Sequence, residues 1–461
     1  MHKKSFFIFL SSILMLGYYT AALPAPIDPI KKNDRILILA PHPDDETIGC
    51  AGIIQQALSA GAKVQVAYLT NGDHNQFAFI VYEKRLTFRK GEFIHMGEVR
   101  RSEAVKAMKT LGLDEDNLIF LGYPDFGTFT IFNQYWQAYK KPFRDRMTRI
   151  SSVPYKNNLS YDAPYTGESI LDDLKNVLLN YKPNKIFVSH PADVNVDHKT
   201  LYLFLQVALR DLNKEIPKPR VYPYLVHCLG WPAPRHYHPE LNLEPPEKFA
   251  GSQINWEESA LTPEQLDKKH KAILCYKSQT ESSAFYLLSF VRKNELFGDY
   301  PEIKIKGAVF EEKKAVSPFG FLGMFRKQDS GGPGNLEGPP KSNDRVSYAV
   351  VDNSIVIRIE KTKEARRQIN LMLYLFGYSY KTPFAHMPKI KIIAKYGKFR
   401  VFNGKTMINP QGISLEVGPN ALILKVPLQI LGFPDFILTS VKSYRKALPI
   451  GVSGFRKVYI E

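Results

Sequence analysis

Short runs of apolar residues alternate with amphipathic stretches along the first half of this 461-residue chain. Four such runs occur at residues 35–40, 64–69, 118–121 and 185–189, and the first of them is continuously apolar after Arg35. Such runs are typical of strands that are buried on both faces of a parallel sheet. Apolar residues recur at helical spacing between them, at residues 45–59, 99–111 and 169–180. The alternation predicts an α/β domain over residues 30–310, with a Rossmann-like, doubly wound and mostly parallel sheet.

The pattern changes after residue 310. Residues 311–345 are rich in Gly, Pro and Ser, which predicts a flexible linker. Beyond the linker, short strand-like runs occur at residues 346–351, 355–359, 390–394, 414–417 and 421–426. They predict a separate C-terminal all-β, sandwich-like domain over residues 346–461. We find no metal-binding or nucleophile pattern in the sequence of that region.

The stretch at residues 128–166 is aromatic and irregular, and it includes Trp136. This composition predicts an insertion outside the core. Loops at strand ends carry the binding sites of doubly wound folds, so we expect the insertion to contribute to a sugar-binding wall.

The N-terminus has the order of residue types that defines a secretory signal peptide. Lys3 and Lys4 precede an apolar run at residues 6–16, and small residues follow at positions 20–22. The run is short for a membrane span, which needs about 20 residues. We therefore expect residues 1–22 to direct export to the periplasm, the cell surface or the extracellular space. An uncleaved membrane anchor is the alternative.

The chain carries a formal net charge of +17. Such a charge attracts acidic polymers, anionic lipid head groups or nucleic acid. The sequence contains no zinc-finger spacing, basic-region heptads or aromatic RNA-binding signature, so we expect no nucleic-acid partner. The two interpretations left open are a solvated Lys-rich surface and peripheral association with a membrane or an anionic polymer.

Candidate chemistry first occurs directly after the first predicted strand, in the segment Pro41-His42-Pro43-Asp44-Asp45-Glu46. Ligands bind at the carboxyl edge of an open α/β sheet. Histidine and carboxylate side chains are donors that zinc accepts. Alternatively, the carboxylates only complement the positive end of a helix.

A second cluster, His190-Pro191-Ala192-Asp193-Val194-Asn195-Val196-Asp197-His198, follows the strand predicted at residues 185–189 and so reaches the same edge. One further histidine there completes three protein ligands and leaves a fourth position for water, as a catalytic zinc site requires. Two such clusters at one sheet edge favour a metal site over helix capping.

Together the two segments resemble the paired signature of the PIG-L/LmbE family of zinc-dependent N-deacetylases. The resemblance extends from about Arg35 to Phe297. It implies that His42, Asp45 and His198 bind zinc, and the same donor set could hold Fe²⁺ or Co²⁺. It also implies that Asp44 is the general base.

Further roles follow from the same resemblance. Asp197 is expected behind a ligating or catalytic histidine, where it would fix the tautomer. Many family members carry a histidine three residues before the ligand, whereas this chain has Asn195. An asparagine can still donate a hydrogen bond to an oxyanion. His190 could substitute for the missing histidine or be a structural residue at the strand end.

Two residues are predicted to contact substrate. Arg100 matches a family position associated with substrate contact, although a lone arginine at a helix start is more often ion-paired. Asp73 follows Asn71-Gly72 at the end of the second strand and could bind sugar hydroxyls, while a simple turn explains the segment almost as well.

The sequence therefore predicts an exported, zinc-dependent hydrolase that removes the N-acetyl group from an N-acetylglucosamine-like sugar, glycan or glycolipid. The alternative is a non-catalytic, zinc-containing glycan-binding protein, which Asn195 and the basic charge favour. A dinucleotide-dependent oxidoreductase is excluded, because no G-x-G-x-x-G segment follows Ala40 and carboxylates there would repel a pyrophosphate.

Overall fold

A computed structural model describes most of the chain. The described residues are 24–84, 89–250, 252–308, 346–360, 370–395, 398–418, 420–445, 448–452 and 454–461. The predicted signal peptide (residues 1–22) and linker (residues 311–345) lie outside them. Within this part of the chain, no helix combines the length and the apolar character that a membrane crossing requires.

The N-terminal half forms an eight-stranded mixed sheet. Its strands are β1 (Ala25–Pro26), β2 (Arg35–Ala40), β3 (Lys63–Thr70), β4 (Leu118–Tyr123), β5 (Lys185–Ser189), β6 (Arg220–Tyr224), β7 (Asn255–Ala260) and β8 (Asn294–Asp299). They lie in the order β1-β7-β8-β6-β5-β2-β3-β4. Strands β2 to β6 are mutually parallel, and β8 joins β6 in antiparallel orientation. This topology confirms the predicted doubly wound sheet.

Helices cover both faces of the sheet. They are α1 (Asp45–Ser59), α2 (Gln76–Glu83), α3 (Lys90–Leu111), α4 (Thr128–Gln134), α5 (Gly167–Tyr181), α6 (Val196–Asp211), α7 (Pro263–Ile273) and α8 (Lys277–Leu287). Alternate residues of β2 belong to different cores: Ile36 and Ile38 pack with α1 and α3, whereas Leu37 and Leu39 pack with α5 and α6. Burial on both sides explains why β2 has no polar alternation.

The chain reverses its winding direction between β2 and β5, which are adjacent and parallel. From β2 the chain proceeds to β3 on one side, and from β5 it proceeds to β6 on the other. The loops that leave these two strands therefore diverge and open a crevice at the carboxyl edge. Such a switch point is the usual ligand-binding position of doubly wound sheets.

The C-terminal region consists of two antiparallel-rich sheets packed face to face. Its strands are β9 (Ile303–Ile305), β10 (Gly307–Ala308), β11 (Val346–Val351), β12 (Ser354–Glu360), β13 (Asn370–Tyr378), β14 (Lys389–Lys395), β15 (Lys398–Asn403), β16 (Thr406–Ile408), β17 (Ser414–Val417), β18 (Ala421–Pro427), β19 (Phe436–Arg445), β20 (Leu448–Val452) and β21 (Arg456–Ile460). One sheet has the order β10-β11-β12-β18-β17, and the other β16-β15-β14-β13-β19-β21-β9 with β20 beside β19. This arrangement confirms the sandwich-like all-β region.

The sandwich is not separate from the α/β half, in contrast to the sequence-based expectation. Phe376 and Phe436 project from β13 and β19 into the same core as Phe132 and Phe204 of α4 and α6. The boundary also lies earlier than predicted, since β9 pairs with β21 and β10 pairs with β11. Local patterns at residues 303–308 contain no sign of these distant partners.

The aromatic insertion differs from its predicted role as an open sugar-binding wall. Trp136 is only 4% exposed. Its ring packs edge-on against Phe384 of the C-terminal region, with centroids 4.8 Å apart, and the ammonium of Lys389 lies 4.8 Å from the ring centre. This tryptophan therefore joins the two halves of the molecule, because aromatic faces offer both apolar contact and a cation–π surface.

Candidate metal centre

The loop after β2 and the first residue of α1 bring two predicted ligands together. His42 and Asp45 are both buried. The Nδ1 of His42 lies 3.1 Å from Oδ2 of Asp45, and the backbone N–H of His42 donates to the same oxygen at 3.0 Å. The bend between them places a ring nitrogen and a carboxylate oxygen side by side.

His198 reaches this pair from the first turn of α6. Its Nε2 lies 3.1 Å from Oδ2 of Asp45, so this oxygen faces both histidines. Donor atoms of His42, Asp45 and His198 all lie within 4.8 Å of one another, and all three residues are buried. The structure thus brings the two sequence-distant motifs to one point at the switch of the sheet.

The donor set fits a transition-metal ion. Both ring nitrogens of His198 are buried, and among the described residues neither has an aligned hydrogen-bond partner. Buried polar atoms without a partner are costly, and an ion between Nε2 and Oδ2 of Asp45 would remove that cost. Two imidazoles and a carboxylate are a usual zinc ligand set, and iron(II) or cobalt accepts the same donors.

Carboxylates behind the two histidines fix their orientation. The Nε2 of His42 lies 3.0 Å from Oδ1 of Asp125 and 3.4 Å from Oδ2 of Asp197. A proton on Nε2 satisfies these contacts and leaves the Nδ1 lone pair for a metal. Asp197 therefore lies beside His42, and its expected role in fixing the tautomer stays a prediction. Asp125, which is nearer, was assigned no role from the sequence.

Asp193 occupies the corresponding position behind His198. Its Oδ2 lies 3.1 Å from Nδ1 of His198. The same oxygen accepts the backbone N–H groups of Val226 and His227 at 3.1 and 2.8 Å. The sequence analysis missed this residue, although its place within the second motif was an available signal.

Asp44 lies beside the donor set in a strained backbone conformation. Its φ is +124°, which is unfavourable for a residue with a side chain. Its N–H donates to Oε2 of Glu46 at 3.1 Å, and its carbonyl accepts the N–H of Ile48 at 2.9 Å. Burial raises the pKa of Asp44 to about 8, against the opposing charge of Arg100. A cation at the neighbouring ligands would favour the ionised carboxylate.

Arg100, which was predicted to contact substrate, is buried and bonded within the protein. Its guanidinium donates to the carbonyls of Pro43 at 2.6 Å and Gly72 at 2.9 Å, and to Oδ2 of Asp44 at 3.1 Å. Gly72 has φ +67°, and a Cβ there would lie 2.1 Å from a guanidinium nitrogen. This arginine therefore positions the loop that carries Asp44, and Gly72 allows it to approach.

Asp73 is also buried rather than open to a sugar. Its Oδ2 accepts the hydroxyl of Tyr155 at 2.7 Å. Burial raises the pKa of Asp73 to about 7. Its predicted contact with sugar hydroxyls stays a prediction.

Asn195 and His190 have local partners instead of projecting into the crevice together. The Asn195 side-chain oxygen accepts the backbone N–H of Asp197 at 2.9 Å and so caps α6. His190 stacks on Trp256 with ring centroids 5.8 Å apart, and its Nδ1 accepts the N–H of Ala192 at 3.0 Å. Burial lowers the pKa of His190 to about 3. Of the two alternatives for His190, the structure therefore favours the structural one.

A third histidine, His227, adjoins the donor set, and the sequence analysis did not single it out. Its ring lies edge-on to His198 with centroids 4.8 Å apart. Burial lowers the pKa of His227 to about 4. The residue follows β6, whose carboxyl end lies at the same sheet edge, but it has no motif around it.

Three large apolar side chains are exposed close to the centre in sequence. They are Phe126, Val194 and Leu229. Each is within two residues of a group described above, namely Asp125, Asp193 or His227. Exposed apolar side chains therefore flank these polar residues along the chain.

A histidine–carboxylate donor set at the switch point of a doubly wound sheet defines an α/β protein with a candidate metal site. Residues 37–209 match the family model described as "PIG-L: GlcNAc-PI de-N-acetylase". The match confirms the family resemblance on which the ligand assignments depend.

One curated relative is a putative glucosamine-6-phosphate deaminase-like protein from Bacteroides thetaiotaomicron, which is 24% identical over 293 residues. The match covers 54% of this chain and 36% of that relative, so the chain spans little more than a third of the relative's length.

Several solved structures are similar. N,N'-diacetylchitobiose deacetylase from Pyrococcus horikoshii is 17% identical with a TM-score of 0.36, covering 58% of this chain and 84% of the other. The conserved protein TT1542 from Thermus thermophilus is 19% identical with a TM-score of 0.32. The match covers 54% of this chain and 82% of the other. GalB, a 4-carboxy-2-hydroxymuconate hydratase from Pseudomonas putida, is 16% identical with a TM-score of 0.35, covering 60% and 99%. At such scores, the fold assignment rests on the chain's own topology.

Proposed function

We propose that this protein is an exported, metal-dependent amidohydrolase that removes the N-acetyl group from an N-acetylglucosamine-like sugar, glycan or glycolipid. The observation that carries the proposal is the convergence of His42, Asp45 and His198 next to Asp44. A binding protein would have no need for a strained carboxylate beside a metal donor set. The family match over residues 37–209 supports the same reaction class.

The residues of the chain divide the reaction between them. His42, Asp45 and His198 would hold a zinc ion, which would supply a Lewis acid to polarise an amide carbonyl and acidify water. Asp44 takes a proton from the attacking water, whose oxygen bonds to the carbonyl carbon. The carbon–nitrogen bond then breaks, and Asp44 delivers the proton to the departing nitrogen. The products are acetate and a free amine.

Acetate release tests this function. Metal-loaded protein and its Asp44→Asn variant would be incubated with N-acetylglucosamine and its oligomers, with Asp172→Asn on the exposed face of α5 as the matched control. We expect release from the wild type and the control, and a severe loss in Asp44→Asn. Equal release by Asp44→Asn, or none from any acetamido sugar, contradicts the proposal.

The second candidate is a glycan-binding protein that retains the metal site without turnover. It is favoured by Asn195, whose side-chain oxygen caps α6 at 2.9 Å instead of remaining available to the substrate. Calorimetric titration with the same oligomers separates the two candidates. Binding without acetate release, unchanged in Asp44→Asn, would establish the second.

Export rests on the sequence of residues 1–22 alone. N-terminal sequencing of the protein recovered from culture medium or periplasm, after expression of the full chain, tests it. A new N-terminus near residue 23 supports cleavage, whereas retention of Met1 in the cytoplasm contradicts export.

A further inference from the structure

His227 is an imidazole beside the metal centre for which neither motif accounts. It lies on the loop that follows β6, and its ring contacts His198 edge-on with centroids 4.8 Å apart. The residue as a whole is half-buried, whereas the three donors beside it are buried. A partly open position beside a buried donor set is where a substrate group would lie.

The loop that carries His227 is tied to the second ligand loop. The backbone N–H of His227 donates to Oδ2 of Asp193 at 2.8 Å, and its carbonyl accepts the N–H of Val194 at 3.0 Å. Asp193 also lies 3.1 Å from His198. The Asp193 carboxylate thus sets the positions of the His198 and His227 rings, so the fold itself determines the distance between them.

Tyr286 of α8 determines which nitrogen of His227 carries the proton. The Tyr286 hydroxyl donates to the carbonyl of Val226 at 2.7 Å. The same hydroxyl oxygen lies 3.3 Å from Nδ1 of His227. The single proton of this hydroxyl already forms the bond to Val226, so it is not available for His227. Nδ1 must therefore be the donor of that contact, and the lone pair of the neutral ring lies on Nε2.

The stacking of His227 on Tyr286, with an interplanar angle of 18°, holds the ring in one orientation. Among the residues that the structure describes, no group hydrogen-bonds Nε2. Asn195, the other polar group expected near the substrate, has its side-chain oxygen committed to the helix cap. His227 is thus a preoriented acceptor beside the metal centre.

We propose that Nε2 of His227 accepts a hydrogen bond from the N–H of the substrate's acetamide. This assignment rests on the proposed deacetylase function. An amide N–H that loses its water on binding needs a new acceptor. In a trans amide the N–H and the C=O point in opposite directions, so an acceptor on the N–H fixes the direction of the carbonyl oxygen.

An ester has no N–H, and this difference provides the test. The metal-loaded protein would be assayed at pH 8, above the ordinary histidine pKa of about 6.5. The substrates are an acetamido sugar and the same sugar with an O-acetyl group in that position. In His227→Asn, the side-chain amide can still donate to Tyr286 from the place of Nδ1, but the Nε2 acceptor is lost. His238→Asn makes the same change on an outlying loop as a control.

We expect His227→Asn to lose about tenfold to a hundredfold in kcat/KM for the amide, and less than about threefold for the ester. His227→Gln places an amide oxygen near the former Nε2, and it should retain several-fold more amide activity than His227→Asn. Metal content should be the same in all proteins.

Three results would overturn the assignment: no loss on the amide, equal losses on amide and ester, or equal amide losses in the Asn and Gln variants. Each of them requires an active wild type and leaves the deacetylase function in place. A wild type that hydrolyses no acetamide refutes the proposed function itself, and the assignment of His227 with it.

Discussion

The two loops that meet at the metal centre each supply a histidine, but they are held in different ways. The loop after β2 is strained at Asp44 and is held by buried charge, chiefly Arg100 and Glu46. The loop after β5 has an ordinary helix cap at Asn195 and is held by neighbouring chain segments. Among them, Phe455 of the C-terminal region donates its N–H to the carbonyl of Pro191 at 3.1 Å.

This difference separates two tasks. Strain is tolerated where a reactive group must be placed, because surrounding bonds over-determine the conformation. The loop after β5 presents His198 in a relaxed backbone and needs only a fixed position. We therefore propose that the first loop carries the reactive group and that both loops hold the metal, and five substitutions test this division.

The largest effect is expected for His198→Ala. Removal of one of three protein ligands should reduce metal from about one ion per chain to a trace, as a zinc site needs its ligand count. Elemental analysis of purified protein measures this. The exposed His386, replaced by alanine, is the control. A variant that retains full metal would show that the second loop supplies no ligand.

Asp44→Asn comes next and separates chemistry from binding. Loss of a general base typically costs about 10²–10⁴-fold in rate. We expect a decrease of that size in acetate release while metal content is unchanged. Simultaneous loss of the metal would mean that Asp44 belongs to the ligand set, and the two loops would then share both tasks.

A smaller effect is expected at the supporting carboxylates. Asp125→Asn and Asp193→Asn should each weaken metal affinity by about 10–100-fold, the usual cost of losing such a partner. Competition with a metal chelator measures the affinity. Asp193→Asn should also disturb His227, whose N–H it accepts, so its amide activity should fall further than that of Asp125→Asn. Equal behaviour of the two variants would contradict this asymmetry.

The smallest effect is expected for Asn195→Ala. A lost helix cap costs about 1 kcal/mol of stability, and chemical denaturation measures it. Acetate release should remain near that of the wild type. A rate loss of about 10²–10³-fold would instead identify Asn195 as an oxyanion donor, as the sequence alone allowed.

The sequence predicts those features that depend on neighbouring residues or that match a known motif. The bounds of β2 and α1 follow from burial periodicity, and the three candidate donors follow from the resemblance of the two motifs to a family signature. Asp125 and His227 could not be found in this way, since their roles arise only when the ends of β4 and β6 reach the same sheet edge as the motif-bearing strands β2 and β5. Trp136 was misread because aromatic side chains look alike in sequence whether they face a ligand or another part of the chain.

The packing of the sandwich against α4 and α6 also bears on how the molecule folds. Ile303 of β9 pairs with Val458 of β21, about 150 positions later in the chain. Closing such a distance costs loop entropy before any contact compensates for it, and pairings of this kind slow folding. Until the C-terminal strands are in place, Phe132 lacks its ring contacts with Phe376 and Phe384. We therefore expect a chain cut near residue 310 to retain exposed apolar surface on α4 and to aggregate more readily than the whole chain.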